Sequence, residues 1–228
     1  MKLKLVQRKQ EAPDAESFIL EPSEPISWEA GQYMHYVFPH QNEDARGHER
    51  WFTISSAPFE KHLMITTRFA ADRSSTFKSS LKAMSVGQEI EADGPKGSFT
   101  MGDPAKKHIF IAGGIGITPY RSMLLQLDHD NQPVNVELLY ANRDDNFVFS
   151  NELGALMAKH PTFKIRQFVG DRHIEVSDLK PYADDPDNII YVSGPEPMVE
   201  VFEDILKSRL GVPAERVKLD FFPGYPQE

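Results

Sequence analysis

A chain of 228 residues, 40% hydrophobic and 26% charged, has the composition of a folded protein, which excludes disorder as its main state. It contains no cysteine, so disulfides, thiolate metal sites, cysteine nucleophiles and cysteine-held iron–sulfur clusters are excluded. The net charge of −9 disfavours non-specific binding to nucleic acid or an anionic membrane, and no apolar run approaches the roughly 18 residues that span a bilayer.

Residues 1–8 alternate lysine with apolar residues and lack the apolar core of a signal peptide, so a cytoplasmic protein is expected. The first half then reads as short strands at 3–8, 17–21, 33–38, 51–55 and 63–69, rich in β-branched and aromatic residues. Proline, glycine and asparagine separate them. One helix interrupts the series at 75–83, with Phe77 and Leu81 on one face. This pattern predicts a small antiparallel β-barrel.

Near residue 102 the pattern changes. A short apolar strand at 108–112 leads through a glycine loop into a helix at 119–127. Strands at 134–140, 164–168 and 188–192 and helices at 151–159 and 196–210 follow. Strand–helix alternation predicts an α/β domain with a parallel sheet covered on both faces. The expected division is therefore a barrel over residues 1–102 and an α/β domain over 103–228. The first part is nearly neutral, at −2, and the second carries −7. An acidic partner would meet the first part more readily, unless both faces are simply solvated.

Four segments carry chemistry. Arg50-Trp51-Phe52-Thr53-Ile54-Ser55-Ser56 sets a guanidinium, aromatic rings and hydroxyls on one extended stretch. A guanidinium clamps phosphate, and a ring stacks on a flat heterocycle; equally, Phe52 could be a core residue and Arg50 a surface charge. Arg73-Ser74-Ser75-Thr76 opens the first helix, where hydroxyls and free amides either bind an anion or only cap the helix. Gly113-Gly114-Ile115-Gly116-Ile117-Thr118-Pro119 joins a buried strand to a helix start. That is a pyrophosphate cradle by its chemistry, unless the glycines merely let the helix pack on the sheet. Ser193-Gly194-Pro195-Glu196-Pro197-Met198 repeats the strand–turn–helix pattern. Two such strand ends point to one long ligand across the sheet edge. The strand near 140 ends in Asn142-Arg143, a cation where an acidic residue would select for NAD.

Taken together and in this order, these segments resemble the ferredoxin–NADP(+) reductase superfamily, with its Arg-x-Tyr-Ser-x-x-Ser, Gly-Gly-x-Gly-x-x-Pro and Cys/Ser-Gly-Pro-x-x-Met motifs. The resemblance implies an FAD-binding antiparallel barrel followed by an α/β domain that binds NADPH or NADH. It places Arg50 on the flavin pyrophosphate and Trp51 beside it. Phe52, where tyrosine is usual, would stack on the flavin without a hydroxyl contact, and Thr53 would stand near flavin N5 in place of serine. Ser75 and Thr76 would meet the flavin phosphates. Gly113, Gly114, Gly116, Ile117, Thr118 and Pro119 would hold the nicotinamide dinucleotide, with Arg143 near the adenosine ribose. Ser193, with Gly194, Pro195 and Met198, would orient the nicotinamide, and Phe222 would cover the flavin's other face. Thr53, Ser193 and Phe222 are the expected catalytic residues.

The activity implied is hydride transfer between NAD(P)H and FAD, with electrons passed to a separate acceptor such as ferredoxin or flavodoxin. The alternative is a flavin-binding subunit of a larger complex, inactive alone. The sequence holds neither a cysteine-rich ferredoxin-like segment nor a globin-length extension, so a bare reductase module is expected, with no nucleic-acid partner and no metal.

Overall fold

The computed structural model describes residues 1–41, 43–69 and 74–221. Six strands build the first sheet: β1 (Lys2–Ala12), β2 (Ala15–Pro22), β3 (Tyr33–Val37), β4 (Glu49–Thr53), β5 (Leu63–Arg68) and β6 (Glu89–Lys96). Their order is β4-β3-β6-β1-β2-β5, and the pairings are antiparallel. Alternation sends Leu3 and Leu5 of β1, and Met34 and Tyr36 of β3, to the inside. The sheet curls into a barrel, and the chain leaving β4 approaches β5 where the Ser55 amide donates to the Met64 carbonyl at 2.9 Å. Helix α1 (Thr76–Ala83) plugs one end with Phe77 and Leu81, both fully buried.

The second sheet is parallel, in the order β11-β10-β7-β8-β9. It comprises β7 (His108–Gly113), β8 (Val136–Asn142), β9 (Lys164–Val169), β10 (Ile189–Ser193) and β11 (Val217–Asp220). Every residue of central β7 is buried, as a strand covered on both faces requires. Helices α2 (Thr118–His129) and α3 (Ser150–Lys159) pack on one face; α4 (Val176–Ala183) and α5 (Glu196–Glu203) pack on the other. The chain runs outward from β7 through β8 to β9, then returns to the other side of β7 as β10. This reversal opens a crevice at the carboxyl ends of β7 and β10, where ligands bind in such sheets.

Residue 102, the expected division, falls in the segment between β6 and β7. The sequence reading misses β6, α4 and β11. The continuous helix expected at 196–210 changes after Glu203 into wider π-type turns over residues 204–209. The two halves meet along α2. Buried Arg121 bonds the Ser55 carbonyl and Glu60 of the barrel and Glu152 of α3, and Ser122 Oγ donates to the Ser56 carbonyl at 2.7 Å. Among the described residues no helix is long and apolar enough to cross a membrane, and no cluster of histidine and acidic side chains could hold a metal ion.

Candidate functional site

One cleft of about 860 Å³ runs between the two sheets. Its barrel wall comes from β4, β5 and the start of α1; its opposite wall comes from the turns after β7, β8 and β10. The halves face each other across a single space.

On the barrel wall, Arg50, Trp51, Phe52 and Thr53 all line the cleft. Strict alternation would allow only every second residue there. β4 is an edge strand that ends at the cleft, so consecutive side chains reach it. Arg50 is buried, and its Nη1 donates to the carbonyls of Arg46 and Gly47 at 2.6 and 3.1 Å. Its guanidinium carbon lies 5.2 Å from the centre of the Phe77 ring. Those contacts fix the head group in place. Phe52 packs edge-on to Tyr36 at 5.8 Å and presents its remaining surface to the cleft. Trp51 is largely exposed and stacks on His35 at 4.7 Å. Thr53 is nearly buried and sits at the strand end.

Ser75 caps α1, accepting from the Lys78 amide at 3.2 Å, and lines the cleft. Thr76 does not line it. Its amide donates to the Asp44 carboxylate at 2.9 Å, and its hydroxyl accepts from the Asp44 amide. A carboxylate of the protein thus takes the first amide of α1, where a phosphate contact was expected. Arg46 and Lys78, which the sequence reading passed over, stand on this wall beside Arg50.

On the opposite wall, β7 ends at Gly113 and a short turn carries the chain into α2. Gly113, Gly114, Gly116 and Thr118 line the cleft; Ile117 and Pro119 are buried beneath the turn and do not. The glycines have two uses. Gly114 has φ +54°, a conformation disfavoured for side chains, and a Cβ there would meet Asn142 Oδ1 at 3.9 Å. A Cβ on Gly116 would stand 2.2 Å from the Ser193 carbonyl oxygen, and one on Gly113 would stand 2.3 Å from Met198 Sδ. These two glycines interlock the turns after β7 and β10.

Ser193, Gly194, Pro195 and Met198 line the cleft as a group. Ser193 is buried, and its hydroxyl donates to the Asp220 carboxylate at 2.9 Å. Burial pushes the Asp220 carboxyl up to about 6, against the opposing effect of that hydrogen bond. At the far rim Arg143 is 83% exposed, 3.7 Å from Asp14, while Arg172 lies 5.2 Å from the centre of the Phe168 ring. Phe222 lies outside the described residues; its neighbour Phe221 is partly exposed and lines the cleft.

Residues 110–204 match the family model of the oxidoreductase NAD-binding domain. The chain is 26% identical to ferredoxin–NADP reductase B of Sorangium cellulosum, covering 85% of this chain and 84% of that protein. The chain is thus similar to a ferredoxin–NADP reductase and, in residues 110–204, to the oxidoreductase NAD-binding domain. Other relatives are longer. Phenoxybenzoate dioxygenase subunit beta of Ectopseudomonas oleovorans is 29% identical over 78% of this chain, which covers 54% of it. This chain covers 54–56% of the length of several of the curated relatives it matches. The fold is matched by the FAD/NAD binding domain of nitric oxide dioxygenase from Vibrio cholerae, with a TM-score of 0.81, 20% identity and 97% and 98% of the two chains covered. Ferredoxin–NADP(+) reductase from Plasmodium falciparum superposes with a TM-score of 0.80 at 18% identity, covering 97% and 95% of the chains.

Within this frame the cleft fits two nucleotides by the chemistry of its donors. The barrel wall offers four cations, Arg46, Arg50, Arg68 and Lys78, with a helix cap and a ring face; the other wall offers a glycine turn opening onto a helix start.

Proposed function

We propose that the chain is an NAD(P)H-dependent flavoprotein reductase that binds FAD on the barrel wall and passes electrons to a separate acceptor. One observation carries this reading: anion-binding groups from both halves line the same cleft and face each other. FAD, when bound, accepts electrons as a pair and releases them singly or in pairs. The chain supplies position and electrostatics. Arg50 and Ser75 hold the pyrophosphate, which favours FAD over FMN. Phe52 stacks on the ring system, and the Thr53 hydroxyl stands where it can hydrogen-bond the ring edge. Gly114 and the start of α2 receive the pyrophosphate of the nicotinamide dinucleotide. Ser193, oriented by Asp220, holds the nicotinamide end.

Arg143 is assigned to the adenosine ribose, where a cation favours NADPH over NADH by pairing with the 2′-phosphate. The Arg143→Ala variant should lower the NADPH-to-NADH ratio of kcat/KM about tenfold. An unchanged ratio removes Arg143 from that role. Ferredoxin, flavodoxin or an oxygenase component are the acceptor classes this reading admits, in a cytoplasmic setting where reduced nicotinamide nucleotides are supplied.

The test is spectroscopic. Chain purified with FAD supplied should show flavin bands near about 370 and 450 nm that NADPH or NADH bleaches. It should also reduce ferricyanide. Folded protein without those bands refutes the reading. A flavin-loaded chain inert toward ferricyanide supports the alternative of a partner-dependent subunit; the relative named the electron transfer component of 2-halobenzoate 1,2-dioxygenase, from Burkholderia cepacia, keeps that alternative in view.

A further inference from the structure

Lys78 lies one turn into α1, and the superfamily motifs assign it nothing. Its Nζ donates to the Arg68 carbonyl at 3.1 Å. An ammonium has three donors, and among the described residues this is its one hydrogen bond. Among the described residues no carboxylate pairs with it. The carboxylate of this corner, Asp44, is committed to Arg46 at 2.7 Å and to the Thr76 amide. Lys78 also shares its stretch of cleft wall with Arg46 and Arg50. Burial, and then the charges of Arg50 and Arg46, push the Lys78 ammonium down to about 8. Burial and two neighbouring guanidiniums disfavour the charge on Lys78, and an anion that reached its ammonium would restore it.

We infer that Lys78, with Arg46 and Arg50, forms a three-cation clamp for the phosphate groups of the bound flavin nucleotide. The inference rests on the proposed function. It adds a binding residue from the helix body to the strand arginine and the helix cap. The clamp reads phosphate and not the flavin ring, because none of its three members is aromatic and all three sit beside the α1 cap.

The geometry carries a pH signature. The charged groups around this corner are Arg46 and Asp44 on the 43–48 loop, Arg50 on β4, Arg68 at the end of β5 and Lys82 further along α1. His40 meets the edge of Phe77. Burial and the two guanidiniums bring the loss of the Lys78 charge into the range between pH 7 and 9.5. A bound phosphate favours the charged ammonium, so FAD affinity should weaken as pH rises above about 8, by at most about tenfold per unit.

The experiment titrates the full chain with FAD and with riboflavin, which lacks phosphate, following flavin fluorescence at pH 7 and pH 9.5. Wild type should bind FAD more weakly at pH 9.5. The Lys78→Met variant should lose about 10- to 100-fold in FAD affinity at pH 7 and show no such decline, with riboflavin binding unchanged. Lys78→Arg should keep the affinity and lose the pH dependence. Equal FAD affinity in wild type and Lys78→Met overturns the inference, as does an equal loss for FAD and riboflavin, which marks a structural role. If Lys78→Met does not fold, Lys78→Arg decides alone: a pH dependence like that of wild type overturns the clamp. A wild-type chain that takes no FAD at either pH overturns the reductase reading itself, an outcome distinct from the others.

Discussion

Asp220 is a carboxyl that its surroundings push toward neutrality. It closes β11, its oxygen accepts from Ser193, and burial raises it to about 6 from an ordinary 3.8. The sign of the consequence follows from linkage. A group whose folded value is raised leaves stability intact below the unfolded value and removes it as pH climbs to the folded one. Here the loss accumulates between about pH 4 and 6 and is complete by pH 8. The whole shift is worth about 3 kcal/mol, and residual exposure to the cleft reduces it to on the order of 1–2 kcal/mol. The Asp220→Asn variant keeps an acceptor for Ser193 without the charge. It should therefore be more stable than wild type by that amount at pH 8 and equal to it near pH 4. Urea denaturation at the two pH values measures the difference. An equal effect at both would mean that Asp220 is not a buried charge.

At the level of elements, α2 joins the halves. Its Arg121 is nearly fully buried and bonds two carboxylates, Glu60 at 2.8 Å and Glu152 at 2.6 Å, from opposite sides. Burial alone would disfavour that cation; the two acids outweigh it and raise its pKa. Removing the cation leaves two acids facing each other in a desolvated seam. The Arg121→Met variant should lose about 3–5 kcal/mol, read as a lower urea midpoint. A loss under about 1 kcal/mol would show the seam to be wet. The helix itself was legible, because Pro119 marks its start and apolar residues recur along it. Its role as a strut was not, since the partners lie 61 and 31 residues away in the chain. The strands found from sequence are those with β-branched or aromatic alternation. β6, reading Glu-Ile-Glu-Ala-Asp-Gly-Pro-Lys, offers only Ile90 and Ala92 to the core, and local propensity rejects its charges and proline. Pairing with β1 and β3 makes it a strand nonetheless.

For the whole molecule, the relative placement of the two sheets decides whether two ring systems can meet. Of the candidate residues legible in the sequence, Arg50–Thr53 lie on β4 and the others sit at turns, caps and a helix start, where glycine, proline and hydroxyl chemistry is local. Lys78, Arg46 and Arg68 were not legible, because nothing in their sequence neighbourhood distinguishes a cation on a cleft wall from one in solvent. Arg68 shows what such a residue does. From the end of β5 it reaches across to the turn after β8, donating to the Asn146 carbonyl at 2.7 Å and to Asn142 Oδ1 at 3.3 Å. It also pairs with Asp14 at the β1–β2 turn. Two chain segments, one from each half, thus converge on one guanidinium that lines the cleft. The contact is remote from Arg121, so the Arg68→Met variant should leave that seam closed and let the cleft walls drift. A misplacement of about 1 Å at a reacting pair costs about 100-fold in rate. In stopped flow, flavin bleaching by saturating NADPH should therefore slow about 10- to 100-fold in Arg68→Met, while FAD affinity stays within about threefold. Weakened FAD binding with an unchanged bleaching rate would assign Arg68 to the cofactor and not to the register between the two halves.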